Sequence, residues 1–311
     1  MAAFTAAEHA RALYGLSRGT QATLSVAQPL VGALVAAPDA PPWRLGVLVV
    51  ASLAGFWAVF AANDLLDLPL DRRAAAGERP GARDGAAGWD VDGAGARHPV
   101  AAGLLPVAAA MAWATALAGL AVGLAALLSW WCVLLFAVAV ALQALYCLLA
   151  TVSPLKLVVS GVMVAAGGAV GWAAVTDGAD WARLGWLALW LAAWEAGGRN
   201  VPNDMADVAG DARLGVATVP VRYGMRASAV LAFGCLLAAA GASLGLAVAA
   251  WDVFGPAGVA GTALAGWLAL LRPGVALLRR ADPPTALAAF NRASFHPVWV
   301  LAALCAGLVI H

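Results

Sequence analysis

Charge is the scarcest commodity in this chain. Its 311 residues include 18 basic and 17 acidic side chains, 11% of the total, and a formal net charge of +1. A soluble domain usually carries about 25% charged residues. With 63% hydrophobic residues and a mean hydropathy of +0.86, a water-facing surface cannot be covered, and disorder is excluded by the same composition. Lysine is all but absent: Lys156 stands alone. Without a basic stripe, nucleic acid is not an expected partner. Cysteine is also rare. Cys132, Cys147, Cys235 and Cys305 lie singly inside apolar runs, which excludes a disulfide scaffold. His9, His98, His296 and His311 are scattered, so no zinc site is expected. No nucleophile elbow, phosphate loop or dinucleotide fingerprint occurs. Glu8, His9 and Arg11 precede any apolar run, which is unlike a cleavable signal.

Long apolar runs dominate what remains. A membrane-crossing helix needs about 20 apolar residues. Nine segments qualify: 20–37, 43–62, 101–124, 128–150, 155–176, 181–199, 227–250, 254–271 and 294–310. The expected fold is all-α, a polytopic membrane protein of one domain over 1–311. With the N-terminus in the cytoplasm, alternate loops collect all basic residues except Arg44 and Arg183. That asymmetry fixes the orientation by the positive-inside rule. Two long charged loops, near 63–100 and 199–226, then face the cytoplasm. Residues 77–96, glycine-rich and unlike either flank, read as a flexible cytoplasmic insert. The preference for Arg over Lys and the abundant Ala suggest a high-GC bacterial genome, so the expected location is the bacterial plasma membrane.

The two long loops carry one motif twice. Asn63, Asp64, Asp67 and Asp71 spell N-D-x-x-D-x-x-x-D, and Asn203, Asp204, Asp207 and Asp211 spell it again 140 residues later. On a helix, positions i, i+4 and i+8 share one face. A face of carboxylates is unfavourable unless something positive sits there. Carboxylate and amide oxygens are hard ligands that suit Mg²⁺, which completes its shell with water and phosphate oxygens. Two such faces could clamp a diphosphate through metal ions. Pro69 suggests a kink or restart within the first. Lys156 opens a span beside Pro154, where it could snorkel or neutralise a phosphate. Arg97, Arg199 and Arg213 are further candidates for a diphosphate, with topology as their alternative role. Glu195, near the end of its span, could act on an acceptor or pair with Arg199. Trp57, Phe60, Trp172, Trp190 and Trp194 could form cavity walls that face a cation.

Four stretches carry a resemblance: NDLLDLPLDRR (63–73), RHPVAAG (97–103), SPLKL (153–157) and NDMADVAGDARLGVATVPVRYG (203–224). In order and spacing the chain resembles the UbiA superfamily of intramembrane prenyltransferases, and the second motif is similar to the branches that act on chlorophyll precursors and glycerol phosphate. The resemblance implies nine helices around a central cavity open to the lipid bilayer. It implies an isoprenyl diphosphate held through two Mg²⁺ by Asn63, Asp67, Asp71, Asp207 and Asp211, with Asp64, Asn203 and Asp204 in support. It assigns Lys156, Asp67 and Asp207 to catalysis. Ionisation would yield an allylic cation that a small acceptor captures or, in a membrane terpene cyclase, the substrate's own double bonds. The pattern departs from the family where many members carry a tyrosine: that position is Ala150, and Tyr146 lies one turn earlier.

Overall fold

The computed structural model describes residues 5–77, 89–91 and 95–311, so most of the 77–96 insert lies outside the described residues. Among the described residues the regular structure is entirely helical. Helices α1 (Ala6–Leu16), α2 (Gly19–Ser25) and α3 (Ala27–Ala36) lead into α4 (Pro42–Leu66) and α5 (Leu68–Gly77). Then come α6 (Val107–Leu128), α7 (Trp130–Leu149), α8 (Lys156–Val175) and α9 (Trp181–Trp194). A π turn, Glu195–Asn200, joins α9 to α10 (Val201–Ala206), followed by α11 (Val208–Leu214), α12 (Val219–Ala249) and α13 (Trp251–Gly266). A second π turn, Trp267–Leu271, leads to α14 (Arg272–Arg279), α15 (Pro283–Ser294) and α16 (His296–Ile310).

Seven helical stretches among the described residues are long and apolar enough to cross a bilayer: 42–66, 107–128, 130–149, 156–175, 219–249, 251–279 and 283–310. The two remaining expected segments, 20–37 and 181–199, are helical but fall outside those seven. Span 20–37 is split at Val26, because Pro29 has no N–H to offer the Ser25 carbonyl. Span 181–199 runs through α9 into the π turn. The rods form a ring. In chain order α3, α4, α6, α7, α8, α9, α12, α13 and α16 each pack on the next, and α16 packs back on α3. Outward faces carry apolar side chains such as Leu127, Trp130, Leu148 and Val158, the pattern expected against lipid.

The interior is packed through large and very small residues together. Trp190, Trp194, Leu236, Phe254 and Leu270 form one fully buried cluster. Trp190 donates to His296 Nδ1 at 3.2 Å, and Trp194 to the Ala293 carbonyl at 2.7 Å. These indoles are therefore committed to packing rather than to a cavity wall. The same holds for Trp172, which donates to the Gly178 carbonyl, and for Trp57, packed against Tyr14 and Trp113. Helices α3 and α8 meet backbone to backbone. A Cβ added at Gly171 would sit 1.7 Å from the Pro29 oxygen, and one at Gly32 would sit 2.3 Å from the Gly168 oxygen. Small residues at such crossings are the usual device where lipid removes the hydrophobic drive between helices.

Candidate functional site

Both motifs sit where a helix breaks. Helix α4 stops at Asp67, whose N–H bonds the Asn63 carbonyl at 2.9 Å, and α5 starts at once. Pro69 explains the restart, having no N–H for the Leu65 carbonyl. Helix α10 stops in the same way at Asp207, whose N–H bonds the Asn203 carbonyl at 3.1 Å. The last aspartate of each motif, Asp71 or Asp211, therefore lies on a second short helix. This replaces the continuous one-face helix expected from the spacing: each motif wraps a bend instead. Helices α5 and α11 touch, which brings the two bends together at one end of the ring.

In the first motif the four polar residues divide. Asn63 Nδ2 donates to Asp67 Oδ2 at 3.0 Å, and Asn63 Oδ1 accepts from Gln143 Nε2 at 2.6 Å. Asp64, 6% exposed, turns the other way. His98 Nδ1 lies 2.9 Å from Asp64 Oδ1 and 2.8 Å from Asp71 Oδ2. Burial works against a charge on His98, but its hydrogen bonds to Asp64 and Asp71 prevail and hold its pKa up to about 9. Ligand atoms of Asp64, Asp71 and His98 all lie within 4.8 Å of one another. His98 occupies this place in a left-handed conformation, φ 43°, which is uncommon for a non-glycine residue. Burial, then the charge of Asp71, raises the Asp67 carboxyl above the usual range.

In the second motif Asp204 is buried and faces Lys156, with Nζ 3.3 Å from Asp204 Oδ1. Burial raises the Asp204 carboxyl, and burial followed by the charge of Asp204 raises Asp211 to about 7. Lys156 is itself 5% exposed. Its Nζ lies 5.5 Å from the Tyr146 ring centre, and its charge is felt at both Asp67 and Asp211. The single lysine is thus set between the two motifs. Asn203 and Asp207 border a cavity of ≈ 930 Å³ together with Arg97, Asn291, Arg292 and Phe295.

The candidate arginines are spread out. Arg97 pairs with Asp90 at the rim. Arg199 lies over the rings of Trp194 and Phe290, at 5.4 and 5.6 Å. Arg213 is exposed on α11 and bonds the Ala209 carbonyl. Arg18, His98 and Gln143 escaped sequence reasoning. Arg18 lies over Phe60 at 5.7 Å and its charge lowers the Asp67 pKa. His98 had a usable signal, since it stands inside RHPVAAG. Gln143, a buried amide in an otherwise apolar span, had one as well.

An apolar cavity runs inside the ring between α4, α7 and α8 and meets the first motif through Gln143, which bonds Asn63. Cys132, Phe136, Ala139 and Gln143 give it one face of α7, roughly 16 Å long at 1.5 Å per residue. Phe60, Glu195 and Arg199 also border it.

The donor set suits magnesium. It consists largely of hard oxygens, and Asp64 Oδ2 is buried without a hydrogen-bond partner, a cost that a cation would relieve. A ring of apolar helices around an apolar cavity, with paired acidic bends at one end, is the architecture of a membrane-type protein. The sequence pattern of the UbiA prenyltransferase family matches residues 25–309. The chain belongs to that family and is an enzyme of prenyl transfer. A structure of digeranylgeranylglyceryl phosphate synthase superposes with a TM-score of 0.67 at 17% identity, covering 96% of this chain and 98% of that one. A UbiA homologue from Aeropyrum pernix K1 gives 0.68 at 18%, covering 94% and 97%. One from Archaeoglobus fulgidus, bound to GPP and Mg²⁺, gives 0.65 at 12%, covering 96% and 99%. At these identities the likeness speaks for the fold. No curated protein matches the chain significantly in sequence.

Proposed function

We propose that this protein moves an isoprenyl group from an isoprenyl diphosphate to a small acceptor inside the membrane and releases diphosphate. The observation that carries this reading is the pair of acidic bends with Lys156 between them, joined through Gln143 to an apolar cavity. The Archaeoglobus fulgidus homologues bound to GPP or DMAPP with Mg²⁺ supply the substrate class by analogy. In this reading the chain crosses a bacterial plasma membrane nine times, with both bends on the cytoplasmic side, consistent with the ring of packed rods.

The residues divide the work. Asn63, Asp67 and Asp71 would hold one Mg²⁺ and Asp207 and Asp211 a second, with Asp64, Asn203 and Asp204 steadying them. Bound there, the metal neutralises the leaving diphosphate. Lys156 adds a fixed positive charge on the same group from its buried position. Arg97, Arg199 and Arg213 are further diphosphate contacts in this proposal. Gln143 holds Asn63 in place by donating its Nε2–H to Asn63 Oδ1. The apolar cavity takes the prenyl tail and keeps water from the allylic cation. An Asp67→Asn, Asp207→Asn double variant tests this: it is expected to fold and release no diphosphate. Wild-type rates from that variant would overturn the proposal. A cyclised hydrocarbon formed without acceptor would turn the reading to a terpene cyclase.

A further inference from the structure

Glu195 is a carboxylate that the machinery above does not use. It lies at the start of the π turn, 7% exposed, at the border of the apolar cavity. A carboxylate at such depth is costly and is a functional residue by default. π turns inside helices occur frequently at functional sites. Two donors converge on one of its oxygens. Ser160 Oγ donates to Glu195 Oε1 at 2.7 Å, and Asn200 Nδ2 donates to the same atom at 2.8 Å. Asn200 Nδ2 is also 3.0 Å from Ser160 Oγ, and Asn200 Oδ1 accepts from the Tyr146 hydroxyl at 3.4 Å. Tyr146 lies against Lys156, and Lys156 against Asp204. A continuous line of polar contacts thus joins the second acidic bend to Glu195.

The depth of Glu195 is informative. Lys156 and Ser160 are one turn apart on α8, about 6 Å along the axis. A diphosphate held at Lys156 therefore places the carbon it leaves at the level of Ser160 and its partner Glu195. The π turn is held at this level by close packing: a Cβ at Gly197 would stand 2.6 Å from the Ala232 oxygen of α12.

We infer that Glu195 is the proton acceptor of the transfer, and that the acceptor substrate reaches the site neutral at its nucleophilic atom, as a hydroxyl or an electron-rich ring carbon. The inference rests on the proposed prenyl transfer. The carbon–oxygen bond to diphosphate breaks, and its electron pair leaves with the diphosphate. The acceptor's nucleophilic atom supplies the pair for the new bond to the prenyl carbon, and its hydrogen passes as a proton to the Glu195 carboxylate. Ser160 and Asn200 are positioning residues that fix the carboxylate through one oxygen. No oxidant, reductant or further reactant is needed.

The test compares full-length wild type, Glu195→Gln and Glu195→Asp in proteoliposomes with farnesyl diphosphate and Mg²⁺. The acceptor probes are para-hydroxybenzoate, dihydroxynaphthoate and glycerol phosphate. Glutamine keeps the shape and both accepted hydrogen bonds, so E195Q should melt like wild type and keep its KM for farnesyl diphosphate. Its kcat should fall on the order of 10²–10⁴-fold, the usual contribution of a general base. E195D keeps the charge but withdraws it, and should fall between. An E195Q turnover equal to wild type overturns the inference and leaves the transfer standing. Should E195Q fail to fold, full turnover by E195D overturns it and partial loss supports it. A wild type inactive with all three probes overturns the transfer itself, and this inference with it.

Discussion

Replacing Lys156 by methionine separates what the lysine does for the fold from what it does for the reaction. Methionine fills similar volume and removes only the charge. In the native protein Lys156 Nζ stands 3.3 Å from Asp204 Oδ1, and the residues are 5% and 7% exposed. Removing one partner of a buried pair typically costs 3–5 kcal/mol, because the other charge is left uncompensated. Burial already raises the Asp204 carboxyl, so it can take up a proton, and the lower end, roughly 3 kcal/mol, is expected. At about 2–4 °C per kcal/mol in large domains, the metal-free melting temperature should fall by roughly 6–12 °C. Adding Asp204→Asn should restore most of that loss, since the pair then leaves no uncompensated charge behind. Turnover should behave differently. The lysine charge at the departing diphosphate should be worth about 10²–10³ in kcat, and the double variant should stay slow. Melting can be followed by tryptophan fluorescence in detergent, and turnover by diphosphate release. A single variant that melts with wild type, or one that keeps wild-type turnover, would refute the reasoning.

Other expectations follow from single positions. His98→Ala removes the group that bridges Asp64 and Asp71; the Mg²⁺ concentration for half-maximal diphosphate release should rise roughly 10–100-fold, as for lost supporting contacts, and an unchanged requirement would count against the bridge. Gly55→Leu projects into the apolar cavity, where even a Cβ comes within 3.2 Å of the Phe136 ring; competition assays should show geranylgeranyl diphosphate losing roughly 10-fold or more against geranyl diphosphate. Gly171→Val drives side-chain carbon into the Pro29 carbonyl, so the α3–α8 crossing should separate and the yield of folded, monodisperse protein on gel filtration should collapse.

Much of this site could be read without coordinates, for physical reasons. The repeated motif stands out because aspartate is expensive in a chain with 11% charge. Lys156 stands out because nothing else in the chain resembles it. The seven long apolar stretches were equally legible, as hydropathy reports lipid contact directly. What escaped depends on contacts between distant elements. The bend at Asp207 has no proline at the corresponding place, and its likeness to the bend at Asp67 emerges only when the helices are seen to stop. The π turn at 195–200 is a single-residue change of helical register, below the resolution of hydrophobic periodicity. The tryptophans in the core and against Tyr14 looked like cavity walls because a large apolar ring in a membrane span is ambiguous until its neighbour is known. Gln143 and His98 reach Asn63 and Asp64 from 80 and 34 residues away, distances that no local pattern spans.

The central claim is that the paired acidic bends and Lys156 exist to part an isoprenyl group from diphosphate. The most direct test is diphosphate release by the purified protein in proteoliposomes, with geranyl, farnesyl or geranylgeranyl diphosphate, with and without Mg²⁺ and the acceptor probes. The account predicts release that needs both metal and acceptor, together with a product heavier than the acceptor by one prenyl group. Tight binding of the diphosphates with no release under any of these conditions would contradict it.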